Sequence, residues 1–132
     1  MIESNIQTVK DIYANFGSGN VAGILAVVDA NAEWINSGPS EVPYAKHRKG
    51  TSQIAAFFDE IYSNIDVTRF EPREFVADED EVIVFGGWGG KAKPTGRTFE
   101  SDWAMRWRFK DGKVVYFRSY EDMTGTTAAF KS

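Results

Sequence analysis

Apolar residues recur at helical spacing through the first part of the chain and at alternate positions through most of the rest. Ile2, Ile6, Val9, Ile12, Tyr13 and Phe16 fall on one face of a helix, which Gly17 and Gly19 end. Asn20 is suited to cap a second, shorter helix carrying Val21, Ile24, Leu25 and Val28. A short β segment is expected around Trp34 to Asn36, then an ordered loop with two prolines from Ser37 to Gly50. Thr51 opens a third helix with Ile54, Phe57, Phe58 and Ile61 on its inner face. Strand patterns follow at Thr68 to Ala77, Glu81 to Ala92, Phe99 to Phe109 and Val114 to Tyr120, and a short segment suited to a closing helix ends the chain. Asp111-Gly112 between the last two runs predicts a tight hairpin. Helices first and an antiparallel meander afterwards predict an α+β fold, one domain over residues 1–132. A twisted sheet wrapped over helices encloses a concave apolar space, where ligand pockets form.

Strand parity then sorts the candidate chemistry. Phe99, Trp103, Trp107 and Phe109 share one face of their strand, while Asp102, Arg106 and Arg108 share the other, a solvated or dimer-facing surface. On the last strand Phe117, Ser119 and Glu121 lie on one face, and Tyr116, Arg118, Tyr120 and Asp122 on the other. Phe117 is the natural inward residue, so a regular strand carries Glu121 inward with it. A bulge would turn Asp122 inward instead. Burial beside aromatic rings favours the protonated form of a carboxyl group, which suits general acid–base work. Glu121 is therefore the first catalytic candidate; the other reading makes it a solvated strand end or a cap on the last helix. His47, the only histidine, is the second candidate, because imidazole titrates near neutral pH. Its neighbours Lys46, Arg48 and Lys49 also read as an exposed basic run.

Composition narrows the classes. The chain has 132 residues, 42% hydrophobic and 14% aromatic, enough for a full core. A formal charge of -4 gives no advantage on a nucleic-acid backbone or an anionic membrane. No run approaches the roughly 20 apolar residues of a membrane span, and the first residues do not read as a signal peptide. Cysteine is absent, which excludes disulfides and thiolate chemistry and fits a reducing, cytoplasmic setting. With one histidine and no cysteine, no transition-metal site is expected, and no cofactor. GGWGGKAK, from Gly86 to Lys93, lacks the spacing of a phosphate loop; its glycines instead suit strand bending or close approach of a ligand.

The segments VPYAKHRKG running into a helix with AAFF, FEPREFVAD, and TGRTFESDWAMRWRFKDGKVVYFRSYED resemble the SnoaL-like, ketosteroid-isomerase-related branch of the NTF2-like superfamily. The resemblance spans nearly the whole chain. It implies a cone-shaped α+β barrel, a deep hydrophobic pocket and a homodimer. It places the catalytic base of a ketosteroid isomerase at Asn36, the oxyanion-holding acid at Met105 and the tyrosine at Ile12, one residue from Tyr13. The catalytic set of a limonene-type epoxide hydrolase falls at Gly86, Trp88 and Ser119. None of these residues supplies the acid or base needed, so neither reaction is expected here. Two functions remain. One is a cofactor-independent isomerase, cyclase or lyase acting on a small hydrophobic carbonyl compound. The other is a non-catalytic small-molecule binding module or carrier. In either, Tyr13, Trp34, Asn36, Trp88, Trp103, Met105, Phe117 and Ser119 are expected to line the cavity.

Overall fold

The computed structural model describes residues 2–131. Among these residues, four helices, α1 (Ile2–Ser18), α2 (Val21–Leu25), α3 (Thr51–Asn64) and α4 (Thr124–Phe130), accompany six strands. The strands are β1 (Val28–Asn36), β2 (His47–Lys49), β3 (Ile65–Ala77), β4 (Glu81–Ala92), β5 (Thr98–Lys110) and β6 (Lys113–Glu121). They form one curved, open sheet in the order β2-β1-β6-β5-β4-β3, antiparallel except for the β1–β6 pair. The α+β expectation is met. No helix among the described residues is long and apolar enough to cross a membrane.

The local signals explain most boundaries. α1 stops where Gly19 takes a φ of 74°, a left-handed conformation that costs glycine little. The Asn20 side chain caps α2 by accepting the Gly23 N–H at 3.0 Å. Asp111 and Gly112 both have positive φ, as a two-residue turn matched to strand twist requires. The reading differs from the structure in the first strand and in the loop before α3, and β3 begins at Ile65 rather than Thr68. Val28 starts β1 instead of extending α2, because the short helix ends at Leu25 and the chain pairs at once with Val114. β1 is therefore longer than Trp34 to Asn36. The loop before α3 contains β2, whose pleat turns Arg48 inward between an exposed His47 and Lys49. Arg48 is thus not part of a solvated run. It donates to Glu60 Oε2 at 2.7 Å and to the Gln53 carbonyl at 3.1 Å. Partial burial works against the Glu60 charge, but hydrogen bonds from Lys46 and Arg48 prevail and hold its carboxyl below the usual range.

The core lies between the inner sheet face and the helices. Val9, Ile12 and Tyr13 from α1 and Ile54, Phe57, Phe58 and Ile61 from α3 bury against Trp34, Trp103, Trp107 and Phe117. Trp34 is 1% exposed, stacks on Phe117 at 4.2 Å and meets Trp107 edge-on at 5.6 Å. Gly86 is needed where β4 passes beneath Trp103. A Cβ there would sit 2.3 Å from the Glu71 carbonyl oxygen and 2.7 Å from the Trp103 ring. The glycines of β4 thus serve close packing by the protein itself.

Candidate functional site

The curvature leaves a cavity of about 60 Å³ between the sheet and the inner faces of α1 and α3. Strand parity builds its floor. β6 presents Phe117, Ser119 and Glu121, opposite Trp107, Met105 and Trp103 of β5 in regular antiparallel register. Asn36 and Trp34 sit beside Ser119 and Phe117 on the parallel neighbour β1. The only register shift between β5 and β6 lies near the turn, at Arg108/Phe109, so β6 stays regular through Glu121. Asp122 falls outside the strand, exposed, and accepts the Thr124 N–H at the start of α4.

Tyr13, Trp34, Asn36, Trp88, Trp103, Met105, Phe117, Ser119 and Glu121 all line this cavity. Asn36, Met105 and Ile12 lie in the wall, where the resemblance put the base, acid and tyrosine of a ketosteroid isomerase. Tyr13 reaches the cavity as well: α1 is broad enough on its inner side for Ile12 and Tyr13 both to be buried. The Tyr13 hydroxyl accepts the Trp107 indole N–H at 3.2 Å and donates to Met105 Sδ at 3.3 Å. His47 is not in the cavity. It lies exposed on the edge strand, its Nε2 3.5 Å from Ser37 Oγ.

Glu121 is the polar centre of the wall. Its Oε2 accepts from Ser101 Oγ at 2.8 Å, Thr126 Oγ1 at 3.0 Å and the Trp88 indole N–H at 3.1 Å. The Tyr44 hydroxyl donates across both oxygens, at 2.9 Å to Oε1 and 3.2 Å to Oε2. Oε2 is saturated, while Oε1 is met only by Tyr44 and keeps lone-pair capacity. These donors come from β4, β5, α4 and the loop before β2, so one carboxylate ties four segments together and is fixed in place by them. The sequence reading missed Tyr44, Ser101 and Thr126. Ser101 was within reach, since it falls between Phe99 and Trp103 on the inward face. Tyr44 stands in a loop and Thr126 on a short helix, where parity gives no direction.

A second set of groups has the opposite property. The indole N–H groups of Trp34 and Trp103 and the amide nitrogen of Asn36 are buried without a hydrogen-bond partner among the described residues, and all three residues line the cavity. A buried polar group left unpaired costs about 1–3 kcal/mol. Glu121 is overfilled with donors while its neighbours on the same sheet face lack an acceptor.

The tyrosines give a pH dependence. Burial pushes the hydroxyl of Tyr44 well above its ordinary value, and the neighbouring Glu121 charge and hydrogen bond push the same way. Burial raises Tyr13 too, against a smaller opposing effect of the Trp107 hydrogen bond, and raises Tyr62. Each folded-state value lies above the unfolded one. The stability each contributes is therefore complete below pH ~10 and is lost as pH rises beyond it, at about 1.4 kcal/mol per pH unit for each deeply buried ring. Chemical denaturation between pH 9 and 11 is expected to show this decline, and Tyr44→Phe to make it shallower.

The model of the SnoaL-like domain matches residues 9–117, and the chain belongs to that family. An NTF2-like protein of Burkholderia xenovorans LB400 has a similar structure, 34% identical, with a TM-score of 0.91 over 99% of this chain and 98% of that one. TerC, co-crystallised with polyporic acid, is 25% identical with a TM-score of 0.85 over 98% and 99%. A Catenulispora acidiphila protein with a ketosteroid isomerase-like fold, in complex with trimethylamine, shares the fold at 15% identity and a TM-score of 0.77 over 92% and 90%. No curated protein sequence matches the chain.

Proposed function

We propose that this one-domain chain is a cofactor-independent acid–base enzyme of the isomerase, cyclase or lyase type, acting on a small hydrophobic carbonyl compound. The observation that carries the reading is the pairing on one sheet face of a fixed carboxylate with N–H donors that lack an acceptor. Trp103 is the direct cross-strand neighbour of Glu121, and Asn36 pairs with Ser119 two residues before it. A carbonyl oxygen accepting from Trp103, Trp34 or Asn36 supplies the missing partner, and those donors strengthen as negative charge develops on that oxygen. Glu121 Oε1 then takes a proton from carbon α to the carbonyl and returns it elsewhere on the same molecule. The aromatic walls orient the substrate and exclude water. That TerC was crystallised with polyporic acid supports a small-molecule ligand in this fold. His47, exposed on the sheet edge, has no part in this scheme.

The binding-module reading draws on one specific observation, the saturation of Glu121 Oε2, which suits a structural carboxylate as well as a reactive one. Incubating the protein with 2-tetralone, a flat ketone with acidic α-protons, in deuterated buffer separates the two. Loss of the α-proton NMR signals is expected to run faster with the protein than with buffer alone, and Glu121→Gln to slow the protein's contribution by about 10²–10⁴-fold. Binding of the ketone with no accelerated exchange in either form would favour the carrier.

The homodimer is part of the same proposal. Phe85, Ala104 and Tyr120 align across β4, β5 and β6 on the outer face, and Phe85 and Tyr120 are 45% and 48% exposed. Beside them Arg118 directly faces Arg106 across the strands, and Arg118 Nε is buried without a partner among the described residues. A second copy packed on this face covers the rings and brings acceptors to Arg118. Analytical ultracentrifugation at micromolar concentration is expected to show a dimer that Phe85→Asp converts to monomer; a wild-type monomer would remove the assembly.

A further inference from the structure

The cavity beside Glu121, at about 60 Å³, is far smaller than the ~300 Å³ or more of an ordinary ligand site. A cleft of about 500 Å³ lies against it, between the end of α1, α3 and the start of β3. Tyr13, Phe16 and Phe70 belong to both linings, so these rings form the partition between cleft and cavity. The rings are not held equally. Tyr13 is fixed by Trp107 and Met105. Phe16 stacks on Tyr62 at 5.6 Å, and the Tyr62 hydroxyl donates to the Phe16 carbonyl at 2.7 Å. The Phe70 ring, like that of Phe16, makes ring contacts only, with Tyr13, Phe16 and Trp103, and its backbone pairs with Trp88 of β4. It stands on β3, the sheet edge, between register shifts at Val67/Arg69 and Pro72/Glu74. An edge segment bounded by two irregularities, one beside a proline that cannot donate to the ladder, bends more readily than a paired central strand.

We propose that Phe70 is the gate of the site, and that the ligand is elongate: a flat apolar carbonyl head enters past Phe70 to Glu121 while a hydrogen-bonding tail stays in the cleft. The cleft supplies the polar surface such a tail needs, from Thr68, Asp66 and Lys93, with the Lys93 ammonium 2.8 Å from the Tyr62 carbonyl. The tail assignment rests on the carbonyl reading above; the gate does not.

All four tryptophans line the inner cavity, so intrinsic fluorescence reports on it directly. Acrylamide is expected to quench Phe70→Ala more strongly than wild type, and Phe70→Leu to an intermediate degree. Phe85→Ala on the outer face should quench like wild type. Circular dichroism melts confirm that each variant is folded at the assay temperature. Wild-type quenching in folded Phe70→Ala and Phe70→Leu would overturn the gate. The second arm titrates phenyl ketones whose alkyl chains of increasing length end in a hydroxyl group, with acetophenone as the tail-less first member, by calorimetry. Affinity should rise about fourfold per methylene, the equivalent of ~0.8 kcal/mol, as the chain extends through the gate. An affinity that stops rising at acetophenone would overturn the elongate ligand and leave the carbonyl reading intact. No binding by any ketone would overturn both the carbonyl reading and the tail assignment, with the gate decided by the quenching.

Discussion

Glu121→Leu is expected to cost about 3–5 kcal/mol of folding stability, because it strips a buried set of donors of their shared acceptor. The Trp88 indole can only donate, so it has no way to adapt. The hydroxyls of Ser101, Thr126 and Tyr44 can rotate, but they lose the one charge they converge on. Glu121→Gln behaves differently. Its amide oxygen can replace Oε2 for Trp88, Ser101 and Thr126, and its NH₂ can donate to a Tyr44 hydroxyl that turns to accept. The cost should stay near 1–2 kcal/mol, while proton transfer is lost. Thermal and urea unfolding of the two variants, beside wild type, measures this. Equal and small losses would mean that the carboxylate is less central to the wall than its hydrogen bonds indicate.

Trp34→Phe and Trp103→Phe are expected to give the reverse profile, with little stability lost and, in one or both, a marked loss of ligand binding. Each substitution removes an N–H that has no partner in the free protein, which offsets part of the cost of a smaller ring. In the complex the indole N–H that holds the carbonyl oxygen contributes one hydrogen bond, so one of the two variants, or both, should weaken 2-tetralone binding by roughly 5- to 10-fold. Trp107→Phe is the contrasting case: its N–H already bonds Tyr13, so stability should fall more than affinity. Calorimetric titration and unfolding of all three variants would separate these patterns. Equal affinity in wild type and both Trp34→Phe and Trp103→Phe would place the ligand's oxygen elsewhere.

What the sequence made legible follows from the period of two. The odd positions of β5 and β6 assign Trp103, Met105, Trp107, Phe117, Ser119 and Glu121 to one face, and a regular strand keeps them there. The same rule turned Arg48 inward, but β2 has only three residues and its pattern was masked by basic neighbours on both sides. Tyr44 and Thr126 were beyond such rules, since the direction of a loop or short-helix side chain depends on tertiary packing. Gly86 was visible as a glycine, but not its role, because the carbonyl that forbids a Cβ comes from the adjacent strand β3. The partition at Phe70 was invisible for a related reason: it depends on which irregularities the edge strand adopts.

The central claim is that a ligand oxygen occupies the unpaired donors beside Glu121. The four indole N–H signals of a ¹H–¹⁵N spectrum, followed while 2-tetralone is added, test it most directly. Trp88 and Trp107 already donate to Glu121 and Tyr13, whereas Trp34 and Trp103 have no partner. The account predicts that the Trp103 or Trp34 proton, or both, move downfield as they gain an acceptor, with smaller changes at Trp88 and Trp107. Saturable binding that leaves Trp34 and Trp103 unmoved and shifts only Trp88 or Trp107 would contradict it.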